Sequence, residues 1–163
     1  PFSIGDYIET DFGVGIVEDI SFRTTKIRSF DKAIITVPNS KLSSNPVINY
    51  SRRDSRRATF TVGISYETEI NKITIVVDKI RDMLYKSKEV DNDSIICHFD
   101  SFGDSSLNIF LNFYINKSEW VEYLAEKEKI NIAIMKILES EGVEIAFPSQ
   151  TIYISDPSKN TEK

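Results

Sequence analysis

Residues 27–57, IRSFDKAIITVPNSKLSSNPVINYSRRDSRR, constrain this chain more than any other stretch. Lys26 and Arg28 alternate with Thr25 and Ile27 on the way in, and Ala33-Ile34-Ile35-Thr36-Val37 returns. That is the period-two pattern of a half-buried β-ribbon. Pro38 has no N–H to give to a ladder and stops the strand, and Asn39 suits the tight loop that follows. A second short strand at 47–50 and a basic linker come next. Upstream the pattern is that of a small β barrel, and downstream it changes to mixed helix and strand. The ribbon and its linker are therefore the joint.

On the upstream side, Ile4-Gly5-Asp6-Tyr7-Ile8-Glu9 reads as a turn feeding an alternating strand. Gly13-Val14-Gly15-Ile16-Val17 resumes as a strand with Gly at its bend, where a small barrel needs backbone freedom. The Gly-x-Gly is not a dinucleotide loop, since a third Gly and a following helix are both lacking. About five short strands result, which suits a closed or nearly closed barrel. Downstream, 59–64 reads as a strand broken by Gly63. A helix is expected over about 68–84 with Thr68 as N-cap, its apolar stripe carried by Ile70, Ile73, Val77, Ile80 and Leu84. Strands at 95–99 and 107–115 follow. A second helix begins near Ser118, carries Trp120, Leu124, Ile130, Ile134, Ile137 and Leu138, and stops at Gly142. Strand, helix, strand, strand, helix is close to a ferredoxin-like split β-α-β, its last strand displaced beyond Pro148 to Thr151, Ile152, Tyr153 and Ile154. The fold class is thus α+β. Residues 1–50 form the β domain, 51–57 a basic linker and 58–147 the α/β domain; 148–155 hold the last strand and 156–163 a disordered tail.

Charge sharpens this division. The chain carries net −5, but residues 58–147 hold nine Lys and Arg against sixteen Asp and Glu. Residues 51–57 hold four Arg and one Asp. An acidic body with one short basic stretch argues against a nucleic-acid surface. The bland reading of Ser-Arg-Arg-Asp-Ser-Arg-Arg is a solvated interdomain linker. A single cysteine, Cys97, excludes an internal disulfide framework and fits a reducing compartment. No run of about 18 apolar residues occurs, so no segment reads as a membrane-spanning helix, and no signal peptide is expected. A start at Pro1-Phe2 without Met reads as an excised fragment or a processed product.

Candidates for chemistry are few. His98, the only histidine, neighbours Cys97 in a strand, so the two point to opposite faces and cannot pair as base and nucleophile. One His and one Cys are too few for a transition-metal site. Asp100 and Asp104 flank a turn. Neither catalytic residues, nor a metal, nor a cofactor are expected, and the chain does not read as an enzyme.

Several stretches together carry a resemblance. Val37-Pro38-Asn39-Ser40, NYSRR at 49–53 and the second Arg pair resemble the cytoplasmic part of the small-conductance mechanosensitive channel (MscS) family. PFSIGDYIE at 1–9 is similar to the segment leaving that family's last membrane helix, and GVGIVEDISFRTTKIRS at 13–29 to its first β-domain strands. FTVGISYETEINK at 60–72 and GVEIAFPSQTIYI at 142–154 match its second domain in order and spacing. The resemblance implies a Sm-like β domain and a ferredoxin-like α/β domain. It also implies a homo-oligomer, usually a heptamer, whose terminal strands close a parallel barrel through Thr151, Ile152, Tyr153 and Ile154. The membrane would be reached through N-terminal helices not in this sequence, in a bacterial inner membrane, with this region cytoplasmic. Ions and small osmolytes would permeate on hypo-osmotic dilution.

By the same resemblance, Pro38, Asn39 and Ser40 couple cage to gate, and Arg52, Arg53, Arg56, Arg57 and Thr59 lie near side portals. Ser40 stands where members have Gly, and Arg53-Asp54-Ser55 where members have an acidic residue and Pro. Asp31-Lys32 replaces the common Asp-Gly hairpin turn, and because Lys tolerates positive φ poorly another turn type is expected. The competing classes are a soluble RNA-binding ring and a plain oligomerisation scaffold. The RNA reading would need aromatics interleaved with basic residues on one sheet face.

Overall fold

The computed structural model describes residues 2–150 and 152. The chain divides into two compact units, residues 1–56 with 116–123, and residues 57–115 with 124–163.

The first unit is built on β1 (Tyr7–Thr10), β2 (Gly13–Ile20), β3 (Thr24–Arg28), β4 (Ile34–Pro38), the short helix α1 (Asn39–Ser44) and β5 (Ile48–Asn49). They form one five-stranded antiparallel sheet in the order β4-β3-β2-β1-β5. The period-two pattern decides which side chains go inward. Ile8, Val17, Ile27 and Val37, one from each of four strands, are buried with Leu42 of α1. Phe2, Ile35 and Val47 pack on this core from its margin. Burying each such side chain is worth about 1.5–3 kcal/mol.

Two irregularities shape the sheet. A bulge between Val17 and Asp19 leaves Glu18 unpaired. A bulge re-aims the extra side chain, and both Glu18 carboxylate oxygens accept from Arg28, at 2.8 Å each. Nη1 of Arg28 also donates to the Lys32 carbonyl at 2.8 Å. The hairpin turn keeps Lys32 at φ 66, so Lys itself adopts the left-handed conformation that it tolerates poorly. The N–H of Lys32 donates to Ser29 O and that of Ser29 to Ala33 O, the pattern of a turn followed by a left-handed residue. Arg28 holding the Lys32 carbonyl offsets part of that conformational cost.

Gly15 has a different reason from the bend expected of it. Its φ lies outside the left-handed region, but a Cβ there would sit 2.2 Å from the Arg28 carbonyl oxygen. Close approach of two backbones, not flexibility, demands Gly.

The second unit contains β6 (Arg56–Ile64), α2 (Ile70–Lys86), β7 (Ile96–Phe102), β8 (Leu107–Ile115) and α3 (Trp120–Ser140), with Arg56 and the first turn of α3 grouped in the first unit. Its sheet order is β6-β8-β7. Central β8 buries Leu107, Ile109, Leu111, Phe113 and Ile115, alternate residues of one face. Gly63 does not break β6 but lies inside it, where a Cβ would come 3.0 Å from Cβ of Ser106. Helix α2 starts two residues later than expected. Glu69, not Thr68, is its N-cap, because the Thr68 hydroxyl donates to Ser65 O at 2.6 Å instead. Of the expected stripe Val77, Ile80 and Leu84 are buried, joined by Val76, while Ile70 in the first turn is 82% exposed. Helix α3 begins at Trp120, two residues after Ser118.

Gly142 ends α3 as its spacing predicted. With φ 65 it lets its own N–H reach Glu139 O and the N–H of Val143 reach Leu138 O, which satisfies two terminal carbonyls. The chain then returns along β6. Ile145 bridges Ile64 antiparallel, Ser65 N–H donates to Glu144 O and Ala146 N–H to Gly63 O. The fourth strand of a ferredoxin-like sheet is thus not displaced beyond Pro148. It occupies its usual edge, beside β6, reduced to one bridge. Ile152 is exposed and outside any strand. Thr151, Tyr153 and Ile154, together with the tail at 156–163, lie outside the described residues.

The Gly15 contact yields a direct test. Gly15→Ala forces the β2–β3 backbones apart and should cost about 1–3 kcal/mol or more, the range of overpacking in a filled space. Urea unfolding measures it, and an unchanged midpoint would mean the register around Gly15 is wrong.

Candidate functional site

Asn39 opens α1 rather than a loop, correcting the sequence reading. Strand β4 runs through Pro38, whose extended backbone makes it the N-cap of α1 without a side-chain bond. Proline tolerates this position because the first N–H groups of a helix lack intrahelical partners anyway. The Asn39 side chain is fully engaged within its own unit. Its Oδ1 accepts from the buried Thr25 hydroxyl at 2.8 Å, and its Nδ2 donates to Ser21 O at 2.8 Å and Phe22 O at 3.2 Å. Its backbone N–H donates to Arg23 O at 2.9 Å. One amide thereby ties the start of α1 to the β2–β3 turn. Ser40 is exposed, and its carbonyl accepts from Ser44 Oγ at 3.0 Å.

The basic stretch is divided rather than uniform. Tyr50–Arg52 is a single 3-10 turn whose entry is held by Asn49 Oδ1 accepting from Ser51 N–H at 3.0 Å. Ser51 Oγ accepts from Tyr7 N–H at 2.8 Å, and Asn49 Nδ2 donates to Asp6 Oδ2 at 2.7 Å. That bond, followed by the Ser3 N–H, holds the Asp6 carboxyl below its ordinary range. Arg52 is exposed. The guanidinium of Arg53 lies over the Tyr50 ring, 5.2 Å from its centroid. Arg56 donates from Nε to Ser118 O at 2.7 Å and lies over Trp120, also at 5.2 Å. Arg57 instead donates to Asn112 Oδ1 at 2.6 Å, within the second unit. Thr59 is exposed on β6. The expected linker at 51–57 is therefore shorter than its charge suggested, since Arg56 and Arg57 already belong to β6.

Arg53 and Arg56 share a cleft of about 620 Å³ in the first unit. Tyr7, Phe30, Tyr50 and Trp120 form much of its wall. Burial, and then the neighbouring charge of Arg53, depress the pKa of Arg56. The hydrogen bond to Glu9, and then burial, push the Tyr50 phenol up. The sequence reading missed the aromatic half of this cleft. Trp120 lies on α3 as its position implies, yet it is 55% exposed. Nothing in the spacing connects it with Arg56; being the only tryptophan was its one distinguishing mark.

Cys97 and His98 pair with Leu111 and Phe110 and point to opposite faces. Cys97 is buried, its thiol pushed up to about 11 by loss of solvent, and His98 is exposed. A thiol so rarely ionised is a poor nucleophile. Asp100 occupies a second bulge, between Phe99 and Ser101. Among the described residues no three His, Cys, Asp or Glu side chains come together as a metal site.

Known proteins resolve the identity of this arrangement. Residues 1–52 match the family profile described as "Mechanosensitive ion channel, beta-domain", and residues 58–145 that described as "Mechanosensitive ion channel MscS, C-terminal". The chain belongs to the MscS family. The two profiles follow the order of the two units and leave only the basic stretch between them. Among MscS relatives, YhdY of Bacillus subtilis is 40% identical over 99% of this chain and 44% of its own length. The low conductance mechanosensitive channel YnaI of Escherichia coli is 39% identical over 96% of this chain and 46% of its own. The chain thus spans less than half the length of these relatives. The crystal structure of Helicobacter pylori MscS in its closed state superposes with a TM-score of 0.74 at 25% identity, covering 96% of this chain and 60% of that one. This chain's fold is α+β, a β domain followed by a C-terminal α/β domain, and matches those two parts of the family. Among the described residues no helix is long and apolar enough to cross a membrane.

The Asn39 clamp predicts an asymmetry between neighbours. Asn39→Ala leaves the buried Thr25 hydroxyl without its acceptor and should cost about 1–3 kcal/mol, whereas Ser40→Ala should stay within about 0.5 kcal/mol. Chemical denaturation of both variants decides, and equal midpoints would remove the clamp.

Proposed function

We propose that this chain is the cytoplasmic part of a tension-gated ion channel. In this reading it assembles as a homo-oligomer, a heptamer, under a membrane pore, and the channel releases ions and small osmolytes on hypo-osmotic dilution. The membership of both units in the MscS family, in the family's own order, carries the reading. The chain is then not an enzyme but a cage beneath a pore in the cell membrane. Tension acts as a ligand would: it favours whichever state occupies more membrane area.

Within that reading Pro38, Asn39 and Ser40 transmit gating. The Asn39 bonds to Thr25, Ser21 and Phe22 support a particular form of coupling. A push on α1 reaches the β2–β3 turn through a hydrogen-bonded side chain instead of a slack loop. Arg52, Arg53, Arg56, Arg57 and Thr59 lie by the portals, and Thr151, Ile152, Tyr153 and Ile154 close the terminal barrel. Barrel closure would remove strand edges that otherwise invite pairing with other chains.

The decisive experiment is patch clamp of the full-length gene product in cells lacking their own mechanosensitive channels. Suction should evoke currents, and expression should protect the cells against sudden dilution. Silence under suction with the protein present in the membrane would defeat the reading.

Ion preference follows from local charge. Charges more than about 8–10 Å away are largely screened at physiological salt, so arginines at a portal outweigh acidic groups farther from it than that. Replacing Arg52 and Arg56 with Glu should move the reversal potential toward cations, more strongly at low salt. An unmoved potential at both salt concentrations would place these arginines off the conduction path.

A further inference from the structure

The cleft of the first unit contains more than ion conduction requires. Arg53 and Arg56 line it together with Tyr7, Phe30, Tyr50 and Trp120. Its volume of about 620 Å³ falls inside the range of about 300–1,000 Å³ typical of small-molecule sites. Three features bear on what would fit there.

The first is an unpaired donor. Nε of Arg53 is the one buried side-chain nitrogen or oxygen among the described residues with no hydrogen-bond partner. A buried donor without an acceptor is a standing cost that a suitable ligand removes.

Charge is the second. Two guanidiniums are close enough for Arg53 to depress the pKa of Arg56. The nearby carboxylates do not neutralise both. Asp6 accepts from Asn49 Nδ2 and Ser3 N–H, and Glu9 accepts from Tyr50 OH. Glu119 remains as the carboxylate of the lining itself. Arg56 uses Nε on Ser118 O, which leaves its two Nη groups for an acceptor. Paired guanidinium forks match the oxygens of a phosphoryl dianion in charge and in geometry.

The third feature is an exposed flat surface beside the arginines. Phe30 is 79% exposed at the tip of the β3–β4 turn, tilted at 57° against Tyr7 with ring centroids 5.5 Å apart. Ile16, also in the lining, is 49% exposed. Trp120 already contacts Tyr123 and Arg56, and Phe30, at 79% exposure, offers the more open ring. An open aromatic face next to a cationic pair suits a planar base joined to a phosphate.

We propose that this cleft binds a free nucleoside monophosphate, its phosphoryl group held by Arg53 and Arg56 and its base resting on Phe30 and Ile16. The site lies within the first unit and does not depend on the channel reading. Trp120 is the only tryptophan, so its fluorescence reports on the cleft without a label.

The test titrates the 163-residue chain, excited at the red edge of indole absorption, with AMP, adenosine, inorganic phosphate and phosphatidylglycerol vesicles. AMP should give a saturable change, about tenfold tighter or more than adenosine or phosphate alone. Arg53→Gln should weaken AMP by about tenfold or more, the scale of one charge-assisted bond. Phe30→Ser, at an exposed turn where folding is not at stake, should weaken AMP and leave phosphate unchanged. Arg52→Gln, outside the lining, should change nothing, and far-UV circular dichroism checks that each variant is folded. No saturable response to AMP overturns the site, as does equal binding of AMP by folded Arg53→Gln and wild type. A response to vesicles with none to AMP overturns it too, since the phosphate recognised would then be a lipid headgroup.

Discussion

Strand register is the constraint on which everything else in this protein depends. A one-residue slip would send every side chain of a strand to the opposite face. In the first unit the pairs Val17↔Ile27 and Thr25↔Val37 put the inward residues of three strands on one side. Gly15 opposite Ile8 lets the β2 backbone approach the Arg28 carbonyl. Both ends of the β3–β4 ribbon are pinned. Lys32 in its left-handed turn closes one end and the Asn39 amide closes the other. In the second unit β8 plays the central part, with one face of alternating apolar residues buried and β6 and β7 paired on either side. Hydrophobic burial supplies the driving force, but the turns and bulges choose among registers that would bury similar area.

Register also settles where charge goes. Seven residues with four arginines look like one basic segment, yet the structure gives these arginines separate fates. Arg52 faces solvent. Arg53 and Arg56 lie over aromatic rings in the first unit, and Arg57 bonds Asn112 in the second. Arginine suits such sites because its flat cation stacks on a ring while its N–H groups stay available. The long stems also cover apolar surface, so loss of these residues would remove packing as well as charge. The result is a cationic cleft with aromatic walls in a chain whose net charge is −5.

The sequence made the alternation and the helix periods legible, and the places where its reading failed share one cause. Thr68 is a good N-cap by type, but its hydroxyl donates to Ser65 O, and the helix starts at Ile70 with Glu69 as its N-cap. Asn39 is a good turn residue by type, but with its side chain clamped to Thr25 and Ser21 its backbone opens a helix. Lysine is a poor left-handed residue by type, yet Arg28 holds its carbonyl. In each case a specific hydrogen bond, three or four residues away for Thr68 and Lys32 and 14 to 18 away for Asn39, outweighs a conformational preference of about 1 kcal/mol or less. The reduced fourth strand belongs here as well: 144–146 shows little alternation, and only the open edge of β6 makes it pair.

Taken alone, the sequence determined the two-part organisation, the identity of most strands and both long helices, and the family. These rest on periodicity and on ordered local stretches, which each segment carries within itself. Gly142 belongs to this class, because a helix stop at a left-handed residue is a local matter. Only the tertiary structure decided which arginines face which rings, and that Trp120 stays 55% exposed beside Arg56. It also decided that Cys97 is sealed from solvent. Those facts depend on groups dozens of residues apart, such as Arg56 and Ser118. No period or motif links such positions. Their proximity arises from packing, and so do the depressed pKa of Arg56, the raised one of Cys97 and the unpaired Nε of Arg53.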